Sequence, residues 1–140
     1  MSDLLYDDPL HDAACAALVA SGQARQALEA LAVFLPRYRS LCASLSRRAL
    51  AHELFEDRDR YDLETLLDRV DHEIRAGERI EVHADEHCVS GGWLQTVLTP
   101  DARKLQDTAA PVRRLLTALE QVHALRRSET MTARLREADM

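Results

Sequence analysis

From Leu63 to Ile74 the apolar side chains fall at positions 63, 66, 67, 70 and 74, the spacing that lines one face of an α-helix. The same period returns at Tyr38, Leu41, Cys42, Leu45 and Ala49, and again at Val112, Leu115, Leu116, Leu119 and Val122. A chain with several such stripes must cover them all at once, which directs it toward helices packed on helices. The side-chain types agree. Apolar residues make up 46% of the chain but are mainly Leu and Ala, with 4% aromatic and only four glycines. Unbranched side chains lose little rotamer freedom in a helix. The expectation is an all-α fold: an antiparallel four- to five-helix bundle forming a single domain over residues 1–140, with an irregular connection near residues 78–92.

Local signals set the expected boundaries. Asp8-Pro9 joins a capping side chain to a proline at the first helical position and predicts a helix start. Ser21-Gly22 offers a stop, so a second helix is expected over 23–35, carrying Ala27, Leu28, Leu31 and Leu35. Pro36 then opens a third helix, expected over 36–55, whose stripe ends in His52. The dense charge run 53–60 reads as a solvated face or loop. Asp62 caps a fourth helix, and Gly77 ends it. Ile80, Val82 and Ala84 alternate with charged residues, but no partner strand is evident, so a connector is expected. Trp93, Leu94, Val97 and Leu98 suit a short apolar helix after the turn at Ser90-Gly91-Gly92. A new start follows at Thr99-Pro100-Asp101, and the last strong helix is placed from Pro111, with a charged tail from about residue 128 that either continues it or frays.

Charge and cysteine usage narrow the function classes. The formal net charge is −6, which opposes broad binding to phosphate backbones. Leu45 to Leu54 resembles the opening of a helix-turn-helix unit, yet acidic residues follow it and no glycine-containing turn does. No nucleic-acid partner is expected. No apolar run approaches the roughly 20 residues of a membrane span, so no membrane partner is expected either. The acidic opening lacks the regions of a signal peptide, and three widely spaced cysteines make no disulfide framework. A cytosolic protein with reduced thiols is the reading, with Cys15 and Cys42 as core thiols.

One stretch carries unusual chemistry. Residues 80–93 hold His83, His87, Cys88, the Gly-Gly pair and the single tryptophan, Trp93. Helical spacing also places His52 beside Leu41, Leu45 and Ala49, and His123 beside Val112, Leu116 and Leu119. Zinc takes about four ligands and accepts imidazole nitrogen and thiolate sulfur. His52, Cys88 and His123, with His83 or His87 as a fourth, would supply that set.

His83-x4-Cys88-x2-Gly91-x-Trp93 resembles the core of the bacterial chemoreceptor zinc-binding domain family. That resemblance implies a four-helix bundle binding zinc through three histidines and a cysteine. It makes Cys88 a ligand, gives His123 the second place of a later His-x3-His pair, and leaves His52 as the candidate from an earlier helix. The chain departs from the pattern at Leu119, which stands where the first histidine of that pair belongs, and at Ser90, where an apolar residue is usual.

Nothing else offers catalysis. There is no Gly-rich phosphate loop and no serine elbow, and the adjacent His87 and Cys88 are poorly placed for proton transfer between them. No catalytic residue is therefore named, and an enzyme is not expected. The leading expectation is a small, cytosolic, non-catalytic regulatory or adaptor protein that binds another protein. Self-association through the charged C-terminal helix is a further option. The alternative is a zinc-binding helical sensor.

Overall fold

A computed structural model describes residues 8–50, 56–83 and 92–138. Four helices carry most of these: α1 (Pro9–Phe34), α2 (Arg39–Leu50), α3 (Asp57–Ala76) and α4 (Pro100–Ala138). A 3-10 turn, Pro36–Tyr38, joins α1 to α2. Two strands, β1 (Glu78–His83) and β2 (Trp93–Leu98), lie between α3 and α4.

The helix starts follow from their sequences. Asp8 accepts a hydrogen bond from the His11 amide at 3.2 Å while Pro9 occupies the first turn, so one orphan donor is satisfied and another is absent. Phe34 ends α1 just before Pro36, and the Leu35 amide still reaches the Leu31 carbonyl at 2.8 Å. Glu56 precedes α3, whose first turn holds Asp57 and Asp59, favourable charges at a helix N-terminus. Gly77 closes α3.

Cross-helix contacts fix the directions. The end of α1 (Phe34, Leu35), the end of α3 (Ala76, Gly77) and the start of α4 (Ala102, Leu105) line one shallow cleft. At the far end of α3, Asp59 meets Arg48 near the end of α2, and Asp57 meets His123 of α4. The helices thus run up, down, up and down. The core between them comprises Leu28, Leu31, Leu45, Leu63, Leu66, Val70, Val112, Leu115 and Val122, all essentially without solvent contact. Small residues on α1 (Ala17, Ala20, Ser21, Ala24, Ala27) let α4 approach closely, and α1 packs most extensively against α4.

Four boundaries differ from expectation. α1 runs through Gly22, which is exposed in its middle with open space around it. The buried stripe continues on both sides, and Ser21 Oγ donates to the Ala49 carbonyl at 3.1 Å. That packing outweighs the roughly 1 kcal/mol a glycine costs in a helix. Pro111 likewise lies inside α4 rather than at its start, within a buried stripe reaching from Ala102 to Val122. Asp57, Arg58, Asp59 and Arg60 form the first turn of α3, and Asp59 is 4% exposed rather than solvated. The connection near 78–92 contains paired strands, so the described chain is mostly helical with one small sheet rather than purely helical.

α4 has 39 residues against 26 in α1 and 20 in α3. At 1.5 Å per residue it outreaches α1 by about 20 Å. Every residue from 126 to 138 is exposed, so the tail continues the helix along the surface. No described helix is long and apolar enough to cross a membrane.

Candidate functional site

The departure with functional content is the β1–β2 ribbon. Its base is built by the close approach of α3 and α4: the Thr99 amide donates to the Gly77 carbonyl at 2.9 Å, and Leu98 packs against the core. Above that base the strands pair antiparallel, with Glu78 opposite Leu98, Ile80 opposite Thr96, Val82 opposite Leu94 and His83 opposite Trp93. Trp93, Leu94, Val97 and Leu98 were expected to be helical. Two apolar pairs separated by two residues fit either period, and the partner strand across the turn decides between them.

Opposed residues in a ladder share a face, so the ribbon has two unlike sides. One carries Ile80, Val82 and Leu94, at 69%, 76% and 70% exposure. The other carries Arg79, Glu81 and His83 with Val97, Gln95 and Trp93. There the His83 ring stacks on Trp93 with centroids 5.0 Å apart and planes 7° from parallel. His83 Nε2 stands 3.3 Å from Glu81 Oε2 but, being out of line for a hydrogen bond, is shielded without a partner. Both strands are exposed over most of their length. Three large apolar side chains are therefore held in water on a ribbon that two strands alone stabilise only marginally.

The zinc candidates fare unequally. His52, His87 and Cys88 lie outside the described residues. His83 is on the ribbon, which rises from the end of α3, and His123 is beside the start of α3. Those two ends are about 30 Å apart along a 20-residue helix. His83 and His123 are thus not brought together. His123 is half-buried, with Nδ1 3.3 Å from Asp57 Oδ1. Leu119, which interrupts the family pattern, is a buried core side chain. Among the described residues no three His, Cys, Asp or Glu side chains converge to hold a metal ion.

No protein-family model, no curated protein and no solved structure matches the chain.

Two polar features escaped the sequence reading. Arg48 is held between Asp59 and Asp62, with 2.9 Å to the Asp62 carboxylate and 3.0 Å to Ser44 Oγ. Desolvation lowers its pKa, but hydrogen bonds and charges from both aspartates more than offset that and leave it raised. The arrangement locks α2 to α3. Cys15, expected in the core, is exposed, 3.7 Å from His11 Nε2 one turn earlier. Cys42 is buried as expected, and burial pushes its thiol up against a smaller backbone hydrogen-bond effect. The signal for Arg48 was available in principle, since an arginine at helical spacing beside a stripe often finds an acid across the seam. Which acid it meets is a tertiary fact.

Proposed function

We propose that the chain is a small, cytosolic, non-catalytic regulatory or adaptor protein that acts by binding another protein, with the β1–β2 ribbon as its contact element. The observation that carries this is the outward face of Ile80, Val82 and Leu94. Exposed apolar side chains gathered on one face of a small projecting sheet favour a partner that removes them from water. The absence of a catalytic motif in the sequence supports the non-catalytic part.

The test compares two baits in the source cell, the full chain and the full chain with Val82→Asp and Leu94→Asp. The reading expects a partner that the first retains and the second loses, with the same helical signal in both by circular dichroism. Equal capture by both baits removes the ribbon as the contact element. Robust turnover of a substrate by the purified chain removes the non-catalytic assignment.

A further inference from the structure

We infer that the ribbon's partner along the β1 edge is a second copy of this chain, the two copies joining β1 to β1 across a two-fold axis at Ile80. The inference rests on the ribbon being a contact element and commits that element to one occupant.

Among the described residues β1 pairs only with β2, so its other edge presents unpaired backbone donors and acceptors. Edge strands are often protected by charge, and β1 carries charge at Glu78, Arg79 and Glu81. The order of these charges selects for a copy of itself. A two-fold axis normal to the sheet keeps each strand's faces, so residue i can oppose only residues of its own parity. With the axis at Ile80, Arg79 faces the partner's Glu81 and Glu81 faces the partner's Arg79. The adjacent symmetric registers set Arg79 against the partner's Arg79, or Glu81 against the partner's Glu81. Opposite charges directly across a ladder stabilise it and like charges destabilise it. Only the register centred on Ile80 satisfies both pairs. β2 offers no such selection, since Trp93 to Leu98 contains no charged residue.

The geometry also accommodates the bodies. Each ribbon leaves its bundle at Gly77 and Thr99. Antiparallel joining puts the two bundles at opposite ends of a sheet ordered β2-β1-β1-β2, separated by strands about 20 Å long. On the apolar side Ile80 then lies beside the partner's Ile80, and the separate patches of Ile80, Val82 and Leu94 become one. Four strands also relieve the marginal stability of an isolated two-stranded ribbon.

Sedimentation of the full chain across a micromolar to submillimolar concentration series tests this. The wild-type chain is expected to dimerise reversibly. Arg79→Glu alone and Glu81→Arg alone each set like charges across the seam twice and are expected to weaken association about tenfold or more. Mixing those two single variants restores opposite charge at both positions, so a mixed dimer is expected where neither variant forms one alone. The double exchange R79E/E81R is expected to regain self-association, which also shows that the strand tolerates the reversed charges. A chain that stays monomeric throughout, a dimer indifferent to both single variants, or single variants that fail to associate when mixed each overturns the inference. A monomeric chain that still captures a foreign protein through Val82 and Leu94 leaves the adaptor reading standing and removes only the second copy.

Discussion

Leu66 and Leu94 are the same side chain in two different solvents. Leu66 sits on α3 with no solvent exposure, and Leu94 sits on β2 with 70% of its surface in water. The bundle closes on itself because each of its four helices turns a stripe toward the others. The ribbon presents a comparable stripe, Ile80, Val82 and Leu94, to nothing within the described chain. The difference shows where folding has consumed apolar surface and where apolar surface is left for association. A leucine in the core is explained by the fold, whereas a cluster in water asks for a partner.

The largest expected effect tests the closed half of that contrast. Leu66→Ala should lower the unfolding free energy by about 3 kcal/mol or more, through lost transfer energy and the cavity left behind. Urea denaturation of the purified chain measures it, and a loss under about 1 kcal/mol would mean that the α3 seam is far looser than its burial implies.

Arg48→Met follows closely. It removes the cation from Asp59 and Asp62 while keeping much of the aliphatic volume, leaving Asp59 buried without its partner. The expected loss is about 2–4 kcal/mol in the same denaturation experiment, because breaking one side of a buried pair strands a charge. The paired variant Arg48→Met with Asp59→Leu should recover part of it. Recovery in the pair but not in the single variant shows that a stranded charge, rather than lost packing, caused the effect.

Gly77→Ala probes the joint between the two halves. A Cβ at Gly77 would stand 2.5 Å from Ala102 Cβ and 2.9 Å from Thr99 Oγ1, so the base of the ribbon must open to admit it. The expected cost is about 1–3 kcal/mol. Its signature is local: amide exchange should accelerate at Thr99, whose hydrogen bond to Gly77 closes the joint, more than in the middle of α3.

Gly77 also marks how far the sequence could be read. The stripe from Leu63 to Ile74, its end at Gly77 and the cap at Asp8 were legible because each depends on neighbours within a turn or two. The strands were not, since an apolar pair, two spacers and another pair satisfy both helical and extended periods until a partner strand is known. Gly22 and Pro111 looked like boundaries, yet tertiary packing on either side carries the helices through them. Asp59 looked solvated because a charge run does not show that Arg48, 11 residues earlier, will fold against it. For the zinc set, sequence proximity around 83–88 suggested convergence with His123, whereas helix length places His83 and His123 at opposite ends.

Gly22→Ala has a smaller effect and the opposite sign. Gly22 is exposed inside α1, its φ is not in the left-handed region, and nothing lies within 4 Å of an added Cβ. Alanine there should stabilise the chain by about 0.5–1 kcal/mol, by restricting the unfolded state without disturbing the folded one. A destabilising result in the thermal melt would restore the turn that the sequence suggested at Ser21-Gly22.

The smallest expected change in stability belongs to Leu94→Ala, and it tests the open half of the contrast. At 70% exposure little surface leaves water on folding, so the unfolding free energy measured at low protein concentration should move by less than about 0.5 kcal/mol. Association should behave differently, because Leu94 belongs to the patch offered to a partner. The same substitution should reduce capture of that partner while leaving the melt in place. If Leu94→Ala instead costs as much as Leu66→Ala, the ribbon is being held by the bundle itself, its apolar face is already spoken for, and both the adaptor reading and the β1-to-β1 pairing lose their physical basis.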